Sequence, residues 1–304
     1  MITACLLLLN LCVVPLLLVG VIRKAKALMQ TRIGAPVLQP FYDIAKLLAK
    51  GETISETASW IFGWTPRVGL AVAIIAAVLI PWCGPLLPPE WAAASNLLLI
   101  IYLLALGKFF SLLAAMDTGS AFGGLGASRE ATISLLVEPA IIMGLGALAV
   151  GAGSLNLTEV FTRPMHPLVA LLVGGALVIA ALAELSRMPV DDPTTHLELT
   201  MVHEAMILEN SGRNLALVEY AVALRTCMLL GLAAQALLHA CPLLATWSSL
   251  AQYGIGLAAL FVIGIAVAIA EGVLVKLKWR RVPQFLATAI VMSLFAALLA
   301  VVQR

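Results

Sequence analysis

Eight stretches of about twenty apolar residues, each long enough to cross roughly 30 Å of hydrocarbon, decide what this chain is able to become. They run over 2–22, 67–87, 97–116, 131–151, 168–188, 215–238, 255–275 and 284–303. Leu, Ala, Val and Ile follow one another without the alternation of a barrel strand, so helices are the way to satisfy the backbone inside a bilayer. With 62% hydrophobic and 11% charged residues, the composition excludes a water-soluble enzyme, a disordered chain and a coiled coil. The expected fold class is an all-α integral membrane protein of eight transmembrane helices, forming a single membrane domain over residues 1–304.

The basic residues orient this domain. Arg23, Lys24, Lys26, Arg32, Lys46, Lys50 and Arg67 lie between the first two runs, Arg129 between the third and fourth, Arg187 and Arg213 between the fifth and sixth, and Lys276, Lys278, Arg280 and Arg281 between the last two. The opposite side holds only Arg163 and Arg304, so the positive-inside rule puts both termini outside and these connections in the cytoplasm. No basic residue precedes the first run, and Arg23, Lys24 and Lys26 follow it, so it is expected to remain as a helix rather than be cleaved. The outer connections are short and nearly uncharged. The inner ones, above all 24–66 and 187–214, are long and polar, and partners or chemistry are expected there.

Six ionisable residues lie within the apolar runs: Lys108, Glu138, Glu184, Glu219, Arg225 and Glu271. Each costs about 2.5–3.5 kcal/mol near the bilayer centre. Taken singly, Glu184, Glu219 and Glu271 are close enough to the inner ends to snorkel. Taken together, four carboxylates and two cations gathered in the inner half point to a hydrated polar cavity open to the cytoplasm, suited to moving protons.

In the first loop, Phe41, Ile44, Ala45 and Leu48 share one helical face, which predicts an interfacial amphipathic helix. Gly34, Pro36 and Pro40 break the chain ahead of it, and Trp60, Phe62 and Trp64 are expected to anchor the next span. In the second loop, Asp191 and Asp192 before Pro193 and Thr194 predict a helix start, continuing to Gly212 with Glu209 and Arg213 as an i,i+4 pair. His203-Glu204 has no second histidine four residues on, and His196 lies about 10.5 Å from His203 along a helix, so no metal is expected. The segment reads as an acidic docking or proton-entry surface.

The remaining signals are weaker. Cys5, Cys12, Cys83, Cys227 and Cys241 form no cluster and are read as packing residues; whether Cys83 and Cys241 pair near the outer surface is a matter of geometry. Gly119 to Gly126 lacks the phosphate-loop pattern and predicts a tight bend between the third and fourth spans. His166 and His239 fall at outer helix ends and read as interfacial.

Gln30 to Pro36, Leu38-Gln39-Pro40, Asp43 to Leu47, Ala183 to Pro189 and Glu219-Tyr220 resemble the loop signatures of the membrane subunit shared by respiratory complex I, where it forms the quinone site, and the energy-converting nickel-iron hydrogenases. Asp117 to Ser120, Gly126 to Glu130, Glu138-Pro139 and Asp191 to Glu204 resemble the formate hydrogenlyase and hydrogenase-4 branch. The resemblance implies a subunit that anchors a cytoplasmic arm and joins it to antiporter-like membrane subunits. The arm would carry the nickel-iron centre on a large subunit and iron-sulfur clusters on a small one, leaving no cofactor or catalytic residue in this chain. It further implies docking through loops 23–66 and 187–214, at Arg32, Asp43 and Lys46 on the first and Arg187, Asp191, Asp192, His196, Glu198, His203 and Glu204 on the second. Glu138, Glu184, Glu219 and Glu271, with Lys108 and Arg225, would line the ion route, in a prokaryotic cytoplasmic membrane and without nucleic acid. The first loop is shorter than the complex I pattern, which leaves a quinone-site subunit as the alternative. An independent ion-coupled transporter is a third reading, weakened by the lack of an inverted repeat.

Overall fold

The computed structural model describes residues 2–84, 89–191, 201–241 and 247–303. In chain order the helices are α1 (Ile2–Cys12), α2 (Val14–Met29), α3 (Gln39–Ala49), α4 (Trp60–Leu79), α5 (Pro89–Ala92), α6 (Leu97–Asp117), α7 (Ala121–Ala152), α8 (Leu157–Val160), α9 (Pro167–Glu184), α10 (His203–Ile207), α11 (Gly212–His239), α12 (Ser249–Val273) and α13 (Val282–Val302), the last entered through a 3-10 turn at Trp279–Arg281. Among the described residues there is no β-strand, only isolated bridges. Seven helices are long and apolar enough to span a membrane, and the bent pair Thr3–Cys12 and Val14–Met29 makes an eighth if it counts as one span. The protein is therefore a multi-pass membrane protein.

The 44° bend between α1 and α2 has a local cause. Pro15 has no N–H for the carbonyl of Leu11 one turn back. The hydroxyl of Tyr220 on α11 donates to that carbonyl instead, at 2.5 Å. The proline thus opens a polar group that a neighbouring helix closes.

The central helix is α11, the most buried of the spans, packed against α9, α4, α12, α2 and α3. Leu224, Met228, Leu230 and Leu232 on it are fully buried. Because lipid tails are as apolar as leucine, helices in a bilayer associate through close packing and hydrogen bonds rather than through escape from water. Small residues accordingly mark the contacts: Ala140, Ala176 and Ala289 bring α7, α9 and α13 together, and the hydroxyl of Ser293 donates to the Ala140 carbonyl at 2.9 Å.

Several sequence expectations are corrected. The fourth span begins ten residues earlier than its apolar run, because Ser120 caps α7 by accepting from Gly123 N at 3.0 Å; only Thr118–Ser120 forms the bend. The glycines that follow are helical and permit contact: a Cβ on Gly126 would lie 2.9 Å from the Val202 carbonyl, which α10 brings against α7. Helix α10 is short. It ends at Ile207, the chain turns before α11, and Glu209 and Arg213 do not share a helix.

The amphipathic helix α3 forms as expected but with a partly different inward face. Pro40 is buried and Phe41, Asp43, Ile44 and Leu47 half-buried, so the expected face holds at Phe41 and Ile44, whereas Ala45 and Leu48 are exposed. In the aromatic trio, Trp60 and Trp64 are exposed while Phe62 belongs to the core. Cys83 is buried and Cys241 exposed, and both are free thiols.

Candidate functional site

The charges meet in the half of the bundle nearest the 23–66 and 187–214 loops. Lys108 projects from α6 and is 6% exposed. Its ammonium lies 2.5 Å from Glu184 Oε2 at the end of α9 and 3.2 Å from Glu130 Oε1 on α7. Three helices therefore contribute to one ion-paired group, which is what burying a charge requires. One acceptor is left over: Glu130 Oε2 is buried without a hydrogen-bond partner.

Arg225 on α11 completes the group without touching a carboxylate. Its guanidinium fits against Gly107, where a Cβ would lie 2.9 Å from Nη2. Among the described residues it makes no close ion pair. It lines a cavity of about 30 Å³ together with Lys108, Ser111, Glu130, Glu184 and His203. A second cavity, of about 50 Å³, shares Arg225 and Glu184 with the first and is otherwise lined by Glu138 and apolar residues, most of them on α6 and α7. Glu138 is half-buried in that groove. Two cations thus face three carboxylates, and charge balances when the group holds one exchangeable proton.

Glu219 and Glu271 occupy a different place, the wall of a cavity of about 660 Å³ reached by α3. The Glu271 carboxylate is 2% exposed and pairs with Arg187 at 2.8 Å and Lys26 at 3.4 Å. Glu219 is more open, 4.0 Å from Arg23, which also approaches Asp43 at 3.4 Å. Glu204 lies on both this cavity and a neighbouring groove of about 460 Å³ beside Phe122 and Leu208. Of the six residues expected on an ion route, four are together and two line the larger cavity.

The loop residues divide in the same way. Arg32 and Lys46 are exposed, while Asp43 is half-buried on α3. Arg187 and Asp191 turn inward: Asp191 takes Lys276 at 2.6 Å and the Val202 N–H at 3.1 Å, pinning the start of α10. His203 is half-buried where the cavities meet, and desolvation pushes its imidazole below the ordinary 6.5. Asp192, His196 and Glu198 lie outside the described residues. No group of three His, Cys, Asp or Glu able to hold a metal ion occurs among the described residues.

The two long loops are also tied to each other. Ser211 Oγ accepts from Thr53 N at 2.8 Å and donates to Thr53 O at 2.7 Å, and Asn214 bonds Glu52. Gly212 at the start of α11 has φ +48° and sits so near the Gly51 carbonyl that a Cβ would overlap it. Only glycine suits both demands.

Sequence reasoning missed Glu130 and the inward placement of His203. Glu130 fell just outside the apolar run beginning at 131, and the signal that extends the helix to include it is the cap at Ser120.

A multi-pass helical bundle with ion-paired carboxylates buried beneath one face defines the class, a polytopic membrane protein with a charged interior. The chain belongs to the NADH dehydrogenase family, which it matches over residues 2–302. It is 33% identical to formate hydrogenlyase subunit 4 of Escherichia coli (strain K12) over 223 residues, 70% of either chain. Hydrogenase-4 component C of the same organism is also 33% identical, covering 71% of this chain and 68% of its own length. An NADH-quinone oxidoreductase subunit of Anaplasma phagocytophilum (strain HZ) is 32% identical over 66% of this chain and 65% of its own. Among solved structures, a chain of the membrane-bound sulfane sulfur reductase, an archaeal respiratory membrane complex, shares the fold with a TM-score of 0.80 at 20% identity, over 98% of both chains.

Proposed function

We propose that this chain is the membrane subunit of an energy-converting hydrogenase complex of the formate hydrogenlyase type, anchoring a cytoplasmic redox arm and passing protons sideways to neighbouring membrane subunits. Kinship with formate hydrogenlyase subunit 4 and hydrogenase-4 component C supports the complex. The observation that carries the proton role is the row of adjoining cavities from the loop side, through Lys108, Glu130, Glu184 and Arg225, to Glu138 in the α6–α7 groove. In this reading the chain crosses a prokaryotic cytoplasmic membrane eight times with both termini outside. The tied loops at 23–66 and 187–214 receive the arm. The nickel-iron centre and iron-sulfur clusters sit on the large and small hydrogenase subunits, and antiporter-like subunits take over where Glu138 emerges.

The role of each group follows from its setting. Glu219 and Glu204 collect protons from the open cavity. Lys108 lowers the cost of keeping two carboxylates in the interior, and Arg225 biases which of them carries the proton. A change in the field at the redox arm would alter that bias, coupling electron transfer to proton release.

The test is Glu138→Gln in the assembled complex, reconstituted in vesicles. Redox-driven proton movement is expected to be lost while the subunits still co-purify and electron transfer continues. Normal proton movement in that variant removes Glu138 from the route.

The quinone-site alternative draws support from one feature, the large cavity itself. It reaches Pro40, Ile44 and Leu47 of α3, and Leu16, Val19 and Ile22 of α2 give it an apolar side opposite its charges, so its lining fits an amphipathic headgroup. Labelling of α3 by a photoreactive quinone analogue favours that alternative, and its absence leaves the hydrogenase reading.

A further inference from the structure

One titratable side chain stands in the interior with no task in the route as described. His203, the first residue of α10, lines three cavities: the large one of about 660 Å³, the 30 Å³ one around Lys108, and a third of about 40 Å³ beneath Thr65 and Asn210. Between the large cavity and the Lys108 cavity, the boundary is formed by Leu185, His203 and Val222, which line both. Leucine and valine carry no exchangeable proton. A proton moving from Glu204 or Glu219 to the buried group by way of a side chain at that boundary has the imidazole as its carrier.

We infer that His203 is the relay between the open cavity and the Lys108–Glu130–Glu184 group, an assignment that rests on the proton route proposed above. The charged groups around the ring come from every neighbouring element. Glu219 and Arg225 face it from α11, Asp191 from the segment after α9, and Lys108, Glu130 and Glu184 from α6, α7 and α9, with Glu204 beside it on α10. Burial keeps the ring neutral at pH 7, the form with one N–H and one accepting nitrogen.

The transfer balances without any redox change. An O–H bond of the Glu219 or Glu204 carboxyl breaks as an N–H bond forms on the accepting nitrogen. The imidazolium then gives the proton on its other nitrogen to the carboxylate of Glu184 or Glu130, where a new O–H bond forms. A turn of the ring restores the starting tautomer. Desolvation above all disfavours the imidazolium, with Arg225 and Lys108 working against the favourable Glu219 and Asp191, so the charge is passed on rather than stored.

The experiment uses the whole complex in vesicles, with redox-driven acidification followed by a pH-sensitive dye. His203→Gln keeps a polar side chain of similar reach but carries no proton. It is expected to lower proton movement at least tenfold while electron transfer to an artificial acceptor is retained. His203→Ala is expected to behave alike and to be restored by added imidazole, but not by thiazole, a similar ring of far weaker basicity. Wild-type proton movement in His203→Gln, or equal restoration by thiazole and imidazole, overturns the relay and leaves a packing role. Glu184→Gln run in parallel separates the two ideas. Loss there with normal movement in His203→Gln sinks only the relay, whereas normal movement in Glu184→Gln sinks the route beneath it.

Discussion

The same helices behave differently at their two ends. Toward the loop side, α6, α7, α9 and α11 carry Lys108, Glu130, Glu184 and Arg225 into one ionic group. Toward the opposite side, their continuations and the helices around them hold neutral polar groups; among the described residues Gln235 Nε2 and Thr158 Oγ1 are buried there without a hydrogen-bond partner, while others are closed by a neighbour. The Tyr253 hydroxyl donates to Asn10 Oδ1 at 2.8 Å, and Ser95 Oγ donates to the Leu79 carbonyl at 2.7 Å. Charge returns only at the rim, where Arg163 and Glu159 pair at 2.8 Å with both side chains about half exposed. The lesson is directional: the route proposed above runs through the charged half and leaves it sideways at Glu138, because the charged group does not continue toward the opposite end.

Four measurements break or sharpen that contrast. The largest effect is expected from Lys108→Met, which strands Glu130 and Glu184 without their cation; removing one partner of a buried pair costs about 3–5 kcal/mol. Thermal unfolding in detergent checks it, and a variant as stable as the parent means the three side chains do not form one group. Next is Gly231→Ala on the apolar side, where a Cβ would stand 2.6 Å from Trp82 Cβ. Overpacking there is expected to cost about 1–3 kcal/mol, with proton movement per assembled complex unchanged. A shift in transport without one in stability erases the distinction between the two ends.

The third measurement uses pH. Because the folded protein holds the His203 imidazole below its ordinary 6.5, the unfolded segment binds the proton more readily. The stability of α10 is therefore full above about pH 6.5 and falls as the medium is acidified below it, levelling off once the folded ring also protonates. Amide exchange on α10 in the parent and in His203→Gln reads this, and a slope that survives the substitution belongs to another group. The smallest effect is expected from Glu159→Ala, which removes an exposed i,i+4 pair worth at most about 0.5 kcal/mol and leaves the Arg163 bond to the Ala152 carbonyl in place. A larger loss of thermal stability places real charge work at the apolar end.

Much of this architecture is legible in the residue order. Runs of twenty apolar residues have few alternatives in a bilayer, so seven spans and a bent eighth candidate overlap the runs, although α4 and α7 begin seven and ten residues ahead of theirs. The presence of charges inside those runs is equally plain, and their cost alone argues that they share an environment. What the order hides is which of them touch. Glu130 lies beyond the edge of an apolar run, and only the cap at Ser120 draws it onto α7. His203 reads as a loop residue because nothing in its neighbours announces that Gly126 lets α10 sink against α7. The face of α3 is misjudged for a related reason: Asp43 stands at the mouth of the large cavity beside Arg23, a partner twenty positions away that hydropathy does not weigh.

The clasp between Gly51 and Gly212 carries a mechanical consequence. It fastens the first long loop to the leading end of α11, a rigid rod that bears Glu219 and Arg225 along its length. In the proposed assembly, an arm seated on that loop bears on the end of the same helix that holds the guanidinium thirteen residues further on, so docking and the buried charges share one support.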